Sequence, residues 1–363
     1  MKRTGDVIIV GGGVIGMTTA YFLAREGVHV LLCEQGQPGM EASWAGAGIL
    51  PPSDLALALD PFDRLRALSG QLFPELSHDL QERTGIDNGF TRCGGLEFIG
   101  QAGQADPEEW YGLGITTNFL SDKELHDLEP ALAPHLGEAI HVPTMAQLRN
   151  PRHMRALRVA CAEVGVSIRE DTVVAELLLE KNRVKGVRTA NEVLTGDAVV
   201  VAAGAWTDRL LAPLGCHLGI KPVRGQIALL NPGRVVFSRI LLWGSRYLVP
   251  RLDGRVLIGS TEEHAGFEKI TTAAGIGGLL DLGVRLVPEL ANAMLEQTWA
   301  GLRPGSPDGL PFIGNVADIE NLYVAAGHFR AGIQLSPGTA LVLKERIMGQ
   351  PLSMPLEAFR LDR

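Results

Sequence analysis

The sequence predicts an α/β protein in which a Rossmann-like domain is interleaved with an α+β domain built on a mostly antiparallel sheet. Three observations predict it. The chain opens as strand, Gly-rich turn, helix and strand in "DVIIVGGGVIGMTTAYFLAREGVHVLLCE" (Asp6–Glu34), the start of a parallel sheet. From about Pro222 to Gly259 the pattern is mostly β, ending in "RYLVP" and "RVLIGST" around a turn at Asp253-Gly254. An apolar strand of the first kind then returns near the C-terminus in "NLYVAAG" (Asn321–Gly327). No obvious linker separates these stretches, so the domains interleave rather than follow one another.

Each element has a local reason. "DVIIV" is short, apolar and β-branched, which suits a strand buried on both faces. A helix over Met17–Arg25 follows the glycines, and "VHVLLCE" is the second strand, ending at Glu34. Small, turn-forming residues fill "GQPGMEASWAGAGILPP" (Gly36–Pro52), and helical spacing of apolar positions predicts a helix from about Pro61 to Thr84. Between about Gly85 and Val142, strand-like "GGLEFIG" and "AIHVP" alternate with polar loops. In "NPRHMRALRVACAEVG", Asn150 suits an N-cap, Pro151 the first turn and Gly165 a C-cap. "VSIRE", "TVVAELLLE" and "RVKGVRT" read as strands, and "DAVVVAAGAW" as an apolar strand ending in Gly204. Thr271–Leu295 reads as mostly helical, and a last helix runs from about Ser336 to Met348.

Composition excludes several classes of function. The net charge is −8 without a long run of like charge, whereas nucleic acid and anionic membrane both need a basic face. No apolar run reaches the ~18 residues of a membrane span, so stable membrane insertion is not expected. The basic start followed by apolar residues is leader-like, but Asp6 and Gly11-Gly12-Gly13 argue against a leader. Cys33, Cys93, Cys161 and Cys216 lie far apart, so reduced thiols in a cytoplasmic protein are expected rather than a disulfide framework or zinc site. No two histidines stand three or four residues apart, so no metal site is predicted.

The chemistry begins at Gly11-x-Gly13-x-x-Gly16. Gly11 permits the turn, Gly13 lets the backbone approach a pyrophosphate, and Gly16 lets helix and strand pack closely. The helix N-terminus offers free N–H groups and partial positive charge to the phosphates. Glu34, 18 residues beyond Gly16, stands where an acid accepts hydrogen bonds from an adenosine ribose. The other Gly cluster, "GIGGLL" (Gly275–Leu280), follows no strand, so one dinucleotide is expected. In "NLYVAAGHFRAGIQLSPG" a helix follows a Gly-rich turn, and its N-terminus would favour the negative charge a reduced flavin develops near N1 and the C2 carbonyl. That favours FAD over NAD.

Two arginines stand alone among small and apolar residues: Arg303 in "WAGLRPGSPDGLPFIG" and Arg330 in "AAGHFRAGIQL". A guanidinium in such surroundings is either held for an anion or serves locally, in an internal ion pair or at a helix end.

These segments, with "SWAGAGIL", "VVVAAGAW" and "RYLVPRLDGRVLIGST", are spread over nearly the whole chain. The chain resembles the glycine oxidase branch of the D-amino acid oxidase and sarcosine oxidase family. The resemblance implies FAD in a Rossmann-like domain (residues 1–84, 142–220 and 299–363) and substrate under a β-sheet domain (85–141 and 221–298). It implies oxidation of an amine by hydride transfer from the α-carbon to flavin N5. Dioxygen becomes hydrogen peroxide, and the imine hydrolyses to an α-keto acid. Glycine, sarcosine and small D-amino acids are the implied substrates, and imine supply to thiamine-thiazole synthesis the implied pathway. A dehydrogenase using another acceptor is the alternative. By the same resemblance Arg303 pairs with the substrate carboxylate, Tyr247 helps hold it, and Arg330 lies beside flavin and substrate. Flavin contacts fall on Gly11, Gly13, Val14, Ile15, Gly16, Glu34, Gln35, Ala42, Ser43, Ala47, Gly48 and Ile49. Others fall on Val174, Gly204, His328, Phe329, Arg330, Ala331, Gly332, Ile333 and Gln334. The nearest cysteine upstream of "GLRPG" is Cys216, so FAD is expected to be non-covalent, and identical subunits are expected to associate. No general base is nominated, because hydride transfer from a neutral amine needs alignment rather than proton removal.

Two positions depart from the branch. Glu262 stands where an apolar Met lines the pocket, and Ser245 where a His is found. A carboxylate at 262 either changes substrate preference or points to solvent. His264 is expected on a surface loop.

Overall fold

The computed structural model describes residues 4–100, 110 and 112–363; Met1–Arg3, the basic part of the leader-like start, lie outside them. Two large sheets organise the described chain.

The first has six strands in the spatial order Phe312–Asn315, Leu322–Ala326, Ala198–Val201, Val7–Val10, Val30–Cys33 and Ser167–Arg169. All neighbours are parallel except the edge strand Phe312–Asn315. Alternation of side chains fills both faces. Val7, Ile9, Leu32 and Val200 pack under the helices Val14–Arg25, Asn150–Glu163 and Gly332–Met348. Ile8, Val10, Leu31 and Val201 pack against Leu177, Val184 and Leu194 of a three-stranded antiparallel sheet, Val174–Glu180, Arg183–Thr189 and Val193–Thr195.

The second sheet has eight strands in the order Met294–Gly305, Lys221–Asn231, Val256–Gly259, Arg246–Pro250, Ile240–Trp243, Gly95–Phe98, Ala139–Val142 and Asn118–Leu120. Its single parallel pairing joins Ile240–Trp243 to Gly95–Phe98. One face packs on Leu279, Leu282 and Leu286 of the helix Ala273–Leu286. The opposite face presents Ile227, Val249 and Leu257 together with Ala47, which lies in the small-residue stretch after the second strand. A small sheet of Ile49–Leu50, Ala146–Gln147 and Thr91–Arg92 joins the two regions.

Several elements differ from the sequence expectation. Arg149, not Asn150, caps the helix Asn150–Glu163; the Asn150 amide instead donates to the Ser43 carbonyl at 2.7 Å, a tertiary partner that displaces the local cap. Val164 holds the C-cap, and Gly165 follows it at φ +87. The last helix begins at Gly332 rather than Ser336, led in by a short 3-10 turn, Phe329–Ala331; Pro337 lies inside it, and the Ser336 hydroxyl donates at 2.9 Å to the Ile333 carbonyl that Pro337 leaves without an N–H partner. Helix ends at Leu286, and Met294–Gly305 is a strand of twelve residues that pairs with Lys221–Asn231. Its glycines and Pro304 concealed it; as an edge strand it tolerates them. The boundary expected at residue 299 therefore cuts through a strand of the eight-stranded sheet.

Candidate active site

The two sheets meet over one cavity of about 580 Å³, far more than a small amino acid needs. Every residue expected at the site lines it except Gly16. Gly16 lies behind the wall: a Cβ there would stand 1.9 Å from the Gly11 carbonyl oxygen. Gly11 has φ +113, and a Cβ on it would meet the Ala202 carbonyl oxygen at 2.3 Å. Side chains at either position would fill the space in which the first strand, the turn and the helix touch.

The turn leaves Val14 N–H at the start of its helix, donating to Ser43 Oγ at 2.9 Å. Glu34, just past the second strand, accepts from Gly12 N–H at 2.7 Å and Gly36 N–H at 3.0 Å. Its carboxylate is thereby aimed at the cavity with acceptor capacity to spare. Backbone donors, a helix N-terminus and an oriented acid form a donor and acceptor set that fits a dinucleotide.

Further along, Ala42–Gly48 is clipped in place from two sides. Trp299 Nε1 donates to the Ala45 carbonyl at 2.9 Å, and the Trp299 and Trp44 rings meet edge-on at 5.3 Å. Arg251 donates to the carbonyls of Ala47 at 2.8 Å and Leu148 at 3.0 Å, and to Gln147 Oε1 at 2.7 Å. Burial pushes this guanidinium down to about 10, still charged at neutral pH. Sequence reasoning passed over Arg251, although it too is a lone Arg after an apolar run.

Two residues expected at the flavin turn their polar atoms elsewhere. His328 Nε2 lies 3.0 Å from Thr339 Oγ1, and burial lowers its pKa to about 3, so the ring stays neutral. Gln334 donates to the Pro51 carbonyl at 2.7 Å. Phe329 sits in the left-handed region at φ +48 as the chain turns from strand to helix.

At the other end of the cavity stands Arg303, opposite Val223 in the sheet. Its guanidinium lies over Gly225, where a Cβ would come within 2.2–2.4 Å of it. Nη2 donates to Ser260 Oγ at 2.5 Å and Nη1 to the Thr261 carbonyl at 3.2 Å. No carboxylate among the described residues forms an ion pair with it. Burial lowers its pKa from the usual Arg range, and Tyr247, Arg330 and Glu262 are close enough to act on it. The Tyr247 ring lies over Gly259, where a Cβ would come within 2.6 Å of it. Gly225, Gly259 and Ser260 were not anticipated; a lone Gly in a strand, where another group approaches closely, is the signal that could have found the first two.

Arg330 is placed differently. Its Nε and Nη2 donate to Glu262 Oε2 at 3.2 and 2.6 Å, and its Nη1 to the Ser245 carbonyl at 3.1 Å. The Glu262 carboxylate is thus engaged rather than directed at bulk solvent, and both departures from the branch contact Arg330. His264 is exposed.

Comparison with known proteins shows the family. Residues 6–346 match the model of a family described as DAO, FAD dependent oxidoreductase. The chain is 38% identical over 353 residues to a glycine oxidase of Pseudomonas putida, covering 96% of each. It is 32% identical over 371 residues to the bifunctional protein ThiO/ThiG of Trichormus variabilis, covering 99% of this chain and 55% of that one. The crystal structure of glycine oxidase from Geobacillus kaustophilus superposes with a TM-score of 0.93 at 32% identity, covering 100% of this chain and 99% of that one. With a dinucleotide cradle and, in the same cavity, a guanidinium that has no ion pair among the described residues, and with a family match along nearly its whole length, the chain belongs to the DAO family of FAD-dependent oxidoreductases, and its cofactor is FAD.

Proposed function

We propose that the protein oxidises glycine or a similarly small amine, such as sarcosine or a small D-amino acid. The products are the α-keto acid, ammonia or an amine, and hydrogen peroxide. One observation carries the reading: Arg303 is a partly buried guanidinium with no carboxylate partner among the described residues, at the end of the cavity away from the dinucleotide cradle. A planar guanidinium grips a carboxylate bidentately and stays charged at any working pH.

FAD, when bound, supplies the two-electron acceptor. The residues of this chain bind and orient. Arg303 anchors the carboxylate, and Tyr247 and the apolar walls fix the direction of the α-carbon. His328 is neutral and bonded to Thr339, so it serves as no base, and a neutral amine requires none.

The division of labour that fits the sheets is residues 4–84, 143–220 and 306–363 for FAD, and 85–142 and 221–305 for substrate. The imine product suits supply to thiamine-thiazole synthesis, a reading supported by the ThiO/ThiG relative. No helix of the described residues is long and apolar enough to cross a membrane. All four cysteines are free, which supports a cytoplasmic home. Association of identical subunits completes the proposal.

The test is the visible spectrum of the purified holoenzyme without oxygen. Bands near ~450 nm should bleach on adding glycine, and peroxide should appear on readmitting air. Bands that persist with glycine, sarcosine and small D-amino acids alike would sink the reading.

A further inference from the structure

The segment that follows the strand Val256–Gly259 touches both arginines in consecutive residues. Arg303 holds the Ser260 hydroxyl and the Thr261 carbonyl, while Arg330 is held by the Glu262 carboxylate through two of its nitrogens. Glu262 does not line the cavity; it stands at the rim with its side chain 41% exposed, behind an Arg330 side chain that is 33% exposed. The two guanidiniums thus face one cavity in different electrical states. Arg303 hydrogen-bonds only to neutral groups among the described residues, whereas Arg330 is paired with a carboxylate.

We propose that Glu262 determines specificity by setting the charge of the substrate: its ion pair with Arg330 leaves Arg303 to meet a single carboxylate, and turns away amines that carry a second anionic group. A second anion reaching Arg330 would have to displace the Glu262 carboxylate or share the guanidinium with it. Like charges at such separations repel, and the partly exposed position moderates the effect without removing it. The other arginines that line the cavity are engaged elsewhere: Arg246 donates to the Gly278 carbonyl at 3.3 Å, Arg66 pairs with Asp63 at 2.9 Å, and Arg209 lies over the Phe267 ring at 3.8 Å. The inference rests on the proposed function, in that Arg303 must hold the first carboxylate.

Acetate and malonate, neither of which is oxidised, separate the two ideas when titrated against the flavin spectrum of the holoenzyme. The wild type should bind acetate and discriminate against malonate. Glu262→Gln, which keeps size and removes charge, should bind malonate at least tenfold more tightly while acetate changes by less than about threefold. Glu262→Met should do the same, which guards against a peculiarity of either side chain. Adding Arg330→Met to Glu262→Gln should abolish the malonate gain. An unchanged preference in both single variants, or a gain that survives loss of Arg330, overturns the role of Glu262. A wild type whose flavin responds to neither anion overturns instead the reading of Arg303 on which the inference stands.

Discussion

The two ends of the cavity are built in opposite ways. The cofactor end is made of backbone: glycines in contact with carbonyls, N–H groups at a helix start, and small residues between Ala42 and Gly48. The substrate end is made of long side chains, Arg303 and Tyr247, each lying on a glycine of the neighbouring strand. In one place glycine lets the main chain approach a ligand; in the other it lets a side chain lie flat. A backbone site fails wholly when its geometry fails, whereas a side-chain site can lose one function and keep the rest.

That contrast can be broken at either end, and the largest effect belongs to the first. Gly16→Ala places a methyl 1.9 Å from the Gly11 carbonyl, so the strand and helix must separate. The expected product is colourless protein or none in soluble form; a yellow Gly16→Ala protein would refute the backbone account. Arg303→Ala, by contrast, should leave a normal flavin spectrum while kcat/KM for glycine falls about a thousandfold, on the order of 4 kcal/mol. Unchanged kinetics would remove Arg303 from the site. Gly225→Ala sharpens the comparison, because it leaves Arg303 in place but forces its guanidinium off a surface 2.2 Å away. A loss of about ten- to a hundredfold, carried by KM, is expected, again with the flavin retained.

Smaller effects concern the cofactor side. His328 is held to about 3 and His153 to about 4 by burial, against 6.5 when exposed. Below 6.5 the unfolded chain takes up protons that the folded chain refuses, so stability falls as pH falls. The loss should begin near pH 6.5 and grow down to about pH 4 for His153 and about pH 3 for His328. Each histidine contributes up to about 1.4 kcal/mol per pH unit. Denaturant melts of wild type and His153→Gln at pH 7 and pH 5 would check this, the variant showing the shallower slope. Ser43→Ala, which removes the acceptor of Val14 N–H, should cost about 1 kcal/mol in a thermal melt of FAD-free protein.

The same contrast explains what could be read from the sequence. The first strand, the helix Pro61–Thr84 and the strands at Ala198 and Leu322 announce themselves by short-range rules, and the helix meets its predicted ends. Asp60 caps it through Phe62 N–H at 2.8 Å, and Gly85 closes it at φ +68. Gly11, Gly13, Gly16 and Glu34 form a local pattern and were legible from the residues alone. Arg303 and Arg330 stood out, but what separates them did not. Glu262 lies 68 residues from Arg330, and nothing local announces their pairing. The strand that carries Arg303 was hidden because Gly301, Pro304 and Gly305 are poor strand formers, and only the long pairing with Lys221–Asn231 overrides that preference. Arg251 was missed for a similar reason, since the carbonyls it holds belong to Ala47 and Leu148.

The interleaving also bears on how the molecule is made. Residues 11–16 are made long before residues 328–334, yet both wall one cavity, and the parallel sheet gains Leu322–Ala326 only after all its other strands have been made. Until then the nucleotide cradle is a half-built edge with apolar strand surface uncovered. Cofactor loading therefore waits for residues 328–334, and FAD can act as a folding reporter: a nascent chain halted before residue 334 should hold none.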